Sequence, residues 1–164
     1  MKLLGISLLF GVTMASPLAE TAKANSTCNA VQSKQVGDLA KGIQANLDIQ
    51  KQELAGVQFL QAMSNAKSNS TQDFKNIQKA VLNIQQQGID IRTNNQKLAQ
   101  QVNSPAQMGL AIVATAQITE KDQVTSLNGS CADQGTLKTL VKEVQDGTKQ
   151  NKKNLQAAQS QCGK

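Results

Sequence analysis

From Phe74 to Val102 the residues Phe74, Ile77, Val81, Ile84, Gly88, Ile91, Asn95, Leu98 and Val102 follow one another at steps that alternate between three and four. That spacing puts them on one stripe of an α-helix, the stripe that packs against neighbouring helices. A strand cannot use it, because strand side chains change face at every residue. Three further stretches share the period. Val36, Leu39, Ile43, Leu47, Leu54, Val57 and Leu60 mark the first, with Gln50 at the skipped position. Leu110, Val113, Gln117, Val124 and Leu127 mark another, and Leu137, Val141, Val144, Leu155 and Ala158 the last. No segment alternates apolar and polar residues in the manner of a strand, so the expected fold class is all-α.

Boundary residues agree with the period. Ser70-Thr71-Gln72-Asp73 precedes the second stripe, and Ser104-Pro105 offers a Ser N-cap followed by Pro in the first turn. Asn128-Gly129-Ser130 ends the third stripe, and Asp133 or Thr136 can cap the fourth. The expected helices run near 30–66, 71–102, 105–127 and 134–161, with Gly37, Gly42 or Gly56 positioned to bend the first. Short connections favour antiparallel neighbours, hence an up-and-down bundle of about four amphipathic helices forming one domain over 30–164.

The beginning of the chain reads differently. Met1-Lys2 is followed by the apolar run Leu3–Met14, and Thr13 and Ala15 suit the −3 and −1 positions of a small-residue cleavage site. Residues 1–15 therefore read as a secretory signal peptide, with a cut after Ala24 as the alternative, and 16–29 as a flexible leader. The apolar run is shorter than the roughly 20 residues that span a bilayer, and no later stretch reaches that length. Export to an oxidising, extracellular setting gives meaning to three glycosylation acceptor patterns, at Asn25, Asn69 and Asn128, each in a Ser/Asn-rich connection.

The three cysteines can be placed by topology. In an up-and-down bundle Cys28 precedes the first helix and Cys162 follows the fourth, so both fall at one end. Cys131, between the third and fourth helices, falls at the other. A helix over 134–161 separates Cys131 from Cys162 by about 40 Å of rise, whereas a disulfide needs Cα atoms within about 7 Å. The expected bond is Cys28–Cys162, leaving Cys131 buried, capped or free to pair between molecules.

The stripes carry unusual polarity. With 24 Gln and 13 Asn in the chain, amides fall at core positions, among them Gln50, Asn95, Gln117 and Asn151, together with Thr148. Two readings stay open: paired amides that fix the register of the bundle, or a bundle built to open and present its apolar interior to lipid or a surface.

Composition excludes much chemistry. There is no His, so Ser-His-Asp and Cys-His nucleophiles and mixed Cys/His zinc sites are out. The acids Asp38, Asp48, Glu53, Asp73, Asp90, Glu120, Asp122, Asp133, Glu143 and Asp146 lie scattered among lysines at positions expected to be solvated. No phosphate loop is present. A non-enzymatic protein without cofactor or metal is expected. Nucleic acid is an unsuitable partner, since the net charge of +6 is dispersed and three Phe are the only aromatics. Lys149, Lys152 and Lys153 form the densest basic cluster, read as a solvated face near a helix C-terminus.

The stretch Met108–Ala116 is apolar almost all round, making Leu110, Ile112 and Val113 candidate contacts with an apolar surface, or else core. Phe59, Met63, Phe74 and Met108 are candidates to line an acyl-chain groove. The leader, the Gln- and Ala-rich helices and the terminal Cys, with Thr27-Cys28-Asn29, Ile91-Arg92-Thr93-Asn94-Asn95-Gln96 and Asn151-Lys152-Lys153-Asn154-Leu155, resemble small secreted proteins of filamentous fungi. More loosely, they are similar to the hydrophobic surface-binding and cell-wall galactomannoprotein group. The resemblance implies an extracellular helical bundle that adsorbs to apolar surfaces or holds a fatty acid. The expected function is thus a secreted protein acting at the cell wall or an apolar interface. Its expected partners are lipid, a hydrophobic surface or a wall polymer. The alternative is an effector that binds a host or competitor protein.

Overall fold

The computed structural model describes residues 28–66 and 71–163; the signal segment, the leader up to residue 27 and the acceptors Asn25 and Asn69 lie outside them. Four helices run in order: α1 (Ala30–Asn65), α2 (Thr71–Gln101), α3 (Gln107–Ser126) and α4 (Gln134–Ser160). A single 3₁₀ turn, Cys131–Asp133, leads into α4. No strand occurs among the described residues. Consecutive helices pack on one another, and α1 closes on α4, which gives the square of an up-and-down four-helix bundle.

Local chemistry sets the ends. Asn29 caps α1 through a reciprocal pair: its side chain accepts from the Gln32 amide at 2.9 Å, and the Gln32 side chain accepts from the Asn29 amide at 3.2 Å. α1 then continues through Gly37, Gly42 and Gly56 without a break. Packing along its whole length outweighs the roughly 1 kcal/mol helix cost of each glycine. α2 ends at Asn103, whose φ of 49° lets the Ser104 amide reach back to the Ala99 carbonyl at 2.8 Å. Ser104 then caps the next segment by accepting from the Ala106 amide at 3.3 Å. The regular helix begins at Gln107, two residues later than the Ser-Pro signal implied, because the first turn after Pro105 is irregular.

At the far end the cap expectation changes. Asp133 is buried and accepts from the amides of Asn128 and Gly129 at 2.9 and 2.7 Å, so its carboxylate ties the α3–α4 loop and makes no side-chain cap for α4. Gly129 sits at φ 83°, and a Cβ there would lie 2.9 Å from the Phe74 ring. The loop thus folds onto the start of α2, which only a glycine permits.

Two apolar clusters occupy the two ends of the bundle. One, built on Leu39, Ile43, Ala99, Val102, Leu110 and Ala158, lies at the end where Cys28 and Cys162 are joined, with Cα atoms 5.1 Å apart. The other, built on Val57, Leu60, Phe74, Val124, Leu137 and Leu140, lies at the opposite end. Cys131 sits there, exposed and unbonded to another cysteine, its thiol 3.7 Å from the Ser64 carbonyl.

By the chain-entropy account, closing a loop with a sequence separation of 134 stabilises the fold by up to about 4–5 kcal/mol. The double variant Cys28→Ser/Cys162→Ser is expected to lose a large part of that in urea unfolding while keeping its helical circular dichroism. Gly129→Ala is expected to cost about 1–3 kcal/mol, from the left-handed backbone and the collision with Phe74. Unchanged stability in either case contradicts the assignment.

Candidate functional site

Between the two apolar ends the core turns polar. The inner row of α1 is Val36, Leu39, Ile43, Asn46, Gln50, Glu53, Val57 and Leu60, still in steps of three and four. Its middle third carries two amides and a carboxyl. The inner row of α2 reads Val81, Gln85, Gly88, Arg92, Asn95 and Ala99. α3 contributes Gln117 and Glu120, and α4 contributes Gly147, Asn151 and Asn154. Glu53, Arg92, Asn95, Gln117 and Glu120 are each no more than 2% exposed.

This belt corrects two expectations. Glu53, Glu120 and Asp133 are buried and not solvated. Arg92, named in the sequence only as part of a resemblance motif, is buried in it beside the charges of Glu53 and Glu120. In α2 the true core row passes through Gln85, Arg92 and Ala99, while Ile84, Ile91 and Leu98 are half-buried at its edge. From Gly88 to Asn95 a step of three then four selects Ile91, and four then three selects Arg92; periodicity admits both. Hydrophobicity favoured the isoleucine, and packing took the arginine. Glu53 and Glu120 follow the same series, three residues after Gln50 and Gln117, which is the signal that could have found them.

Some of the belt is well bonded. The Asn46 amide donates to the Gly88 carbonyl at 2.8 Å, and Asn151 donates to Asn46 at 2.7 Å and to Gln50 at 3.0 Å. Gln85 donates to Glu53 Oε1 at 2.9 Å. Glycine makes the room: a Cβ on Gly88 would stand 3.2 Å from Gln117 Nε2, and one on Gly147 would stand 3.1 Å from Gln50 Nε2. The rest is unsatisfied within the protein. Both side-chain polar atoms of Asn95, Gln117 and Glu120 lack a hydrogen-bond partner, as do Glu53 Oε2 and the Nε and Nη1 of Arg92. The direct ion pairs among the described residues are surface Lys–Asp pairs, Lys34–Asp38, Lys51–Asp48 and Lys142 and Lys149 with Asp146.

Burial governs the charge of the two glutamates. Desolvation raises the Glu53 carboxyl from 4.5 to about 7, opposed by the bond from Gln85 and the charge of Arg92. Glu120 is raised to about 8, first by desolvation, then by the charges of Glu53 and Glu143, against the pull of Arg92. Burial lowers the Arg92 guanidinium, and both glutamates oppose that.

A second feature lies on the outside of α3. Met108, Ile112 and Ile118 are 81%, 60% and 56% exposed. At 100° per residue they share, with Ala111, Thr115 and Thr119, an arc of about 120°. No charged residue occurs between Pro105 and Thr119. Of the three expected contact residues, Leu110 and Val113 are 1% exposed and belong to the core, because they occupy the inner row; Ile112 faces out. The four groove candidates do not converge. Phe74 is core and Met63 packs beside it at the far end, Phe59 is exposed on α1, and Met108 stands at the disulfide end. Shallow grooves flank α3: one of about 260 Å³ toward α2, lined by Gln96, Gln100 and Met108, and one of about 310 Å³ toward α4, lined by Ile112, Glu143 and Gly147.

Asn128 is exposed, with its side-chain oxygen accepting from the Ser130 amide at 2.9 Å. Lys149, Lys152 and Lys153 are exposed on α4. Among the described residues no three His, Cys, Asp or Glu side chains are grouped to hold a metal, and no helix is long and apolar enough to cross a membrane. No protein family, curated protein or solved structure matches the chain.

Because Glu53 and Glu120 bind protons more tightly folded than unfolded, the folded chain holds the extra protons between about pH 4.5 and 8. Stability therefore falls as pH rises through that window, by up to about 1.4 kcal/mol per pH unit for each group. Urea midpoints are expected to be higher at pH 5.5 than at pH 8. Glu120→Gln, which keeps the neutral form at every pH, is expected to flatten the profile; an unchanged slope contradicts the burial argument.

Proposed function

We propose that this is a secreted, non-enzymatic protein that adsorbs to apolar interfaces, lipid or hydrophobic surfaces, through α3. The observation that carries the reading is the outward face of that helix. Met108, Ile112 and Ile118 remain in water although the inner face of the same helix already supplies the core. Apolar exposure of this kind, contiguous and free of charge, is what an adsorbing surface requires. The outward arc carries no charge from Pro105 to Thr119, which suits burial of that face at a lipid–water interface. The Cys28–Cys162 bond supports an oxidising destination. With it go glycosylation at Asn128 and retention at the wall, as in the surface-binding group the chain resembles.

The test uses exposed positions, which leaves the core intact. Met108→Asp/Ile112→Asp is expected to fold with an unchanged urea midpoint, within about 0.5 kcal/mol. Its adsorption to hydrophobic beads and to phosphatidylcholine vesicles is expected to drop about tenfold or more, each lost apolar side chain being worth about 1.5–3 kcal/mol. Equal adsorption by the parent protein and the variant removes α3 from the function.

A further inference from the structure

The hydrogen bonds that join the helices are distributed unequally. α1, α2 and α4 are fastened together through the belt by Asn46 to Gly88, Gln85 to Glu53, and Asn151 to Asn46 and Gln50. Gln134 to Gln61 and the disulfide add ties between α1 and α4, and Gln161 to Val102 links the end of α4 to the end of α2. α3 shares none of this. Its two belt residues, Gln117 and Glu120, are each at least 98% buried and make no hydrogen bond with any of their four side-chain polar atoms. Among the described residues no side-chain hydrogen bond connects α3 to α4. The bonds to α2 are Lys121 to Gln86, exposed at 2.7 Å, and Gln78 to carbonyls at the C-terminal end of α3. Both flanking grooves lie along the N-terminal two-thirds of the helix.

We propose that α3 is a lid: its N-terminal part swings away from the α1–α2–α4 unit, hinged where Gln78 and the 127–130 loop hold its C-terminal end, and enters lipid with both faces apolar. The choice of lipid rests on the function proposed above; the opening itself rests on the bonds just described. Opening costs α3 no belt hydrogen bond and returns the polar atoms of Gln117 and Glu120 to water, which offsets part of the loss of Leu110 and Val113 from the core. The exposed helix then presents Leu110 and Val113 on one side and Met108 and Ile112 on the other.

The charges around the lid give it a pH dependence. Glu120 faces Glu53 from α1, Arg92 from α2 and Glu143 from α4. Burial disfavours the ionised carboxyl first, and the two acids among those three neighbours add to it against Arg92, so the closed lid favours the protonated carboxyl and ionisation favours release. Opening is expected to be rare near pH 6 and frequent above pH 8.

Hydrogen exchange measured by mass spectrometry on the oxidised protein at pH 8.5 tests this. Amides of 107–120, in a segment too short to stay fully helical once released into water, are expected to open at least about tenfold more often than those of 36–60, and Glu120→Gln is expected to remove most of the difference. Gln117→Leu, which closes the same seam by apolar packing, is expected to act in the same direction. Equal protection in all four helices, or a difference that survives both substitutions, overturns the lid. Phosphatidylcholine vesicles supply the second arm: binding by the parent protein that falls about tenfold in Glu120→Gln at pH 8.5 supports entry of the opened helix. Undiminished binding by Glu120→Gln overturns the requirement for opening. If the parent protein itself fails to bind, the lipid reading falls, while the exchange contrast alone decides whether α3 opens.

Discussion

The placement of one guanidinium inside a four-helix bundle organises the middle of this molecule. Arg92 carries a charge that would be very costly alone in an apolar core, and Glu53 and Glu120 stand near it without closing an ion pair. Burial makes ionisation of either carboxyl costly, and the Arg92 charge only partly offsets that, so both carboxyls hold protons to unusually high pH. Around them the amides form a network complete between α1, α2 and α4 and incomplete toward α3. Apolar packing is thereby displaced to the two ends, where Leu39, Ile43 and Leu110 form one cluster and Leu60, Phe74 and Leu137 the other.

Such a core specifies register better than it adds stability. A one-turn slip of α4 would separate Asn151 from Asn46 and Gln50 and drive side chains into the space that Gly147 keeps open for Gln50. Stability comes instead from the apolar ends and from the covalent staple. The disulfide closes the end that holds the termini of α1 and α4, and the Asp133 carboxylate with Gly129 on Phe74 orders the opposite end. These devices act on α1, α4, the start of α2 and the α3–α4 loop, and neither fastens the N-terminal half of α3. The helix with the most apolar outer face is also the one with no hydrogen bond into the belt, so the adsorption and the opening proposed above fall on one element.

Much of the architecture could be read in the chain alone. The alternating steps of three and four, with Ser70-Thr71-Gln72-Asp73, Ser104-Pro105 and Asn128-Gly129-Ser130 as boundary signals, determined four helices with limits within two residues of those observed. Up-and-down topology with an expected helix over 134–161 was enough to pair Cys28 with Cys162, because helical rise alone keeps Cys131 away. What only the tertiary structure decided was the rotation of each helix about its own axis. A stripe stepping by three and four admits two neighbouring phases, and in α2 these differ by whether Ile91 or Arg92 points inward. The phase was chosen by the close contacts of Gly42, Gly88 and Gly147 with amides on facing helices, residues distant in sequence whose joint fit no single stripe records. That same rotation buried Leu110 and Val113, left Ile112 in water and gathered Glu53, Arg92 and Glu120 into one site.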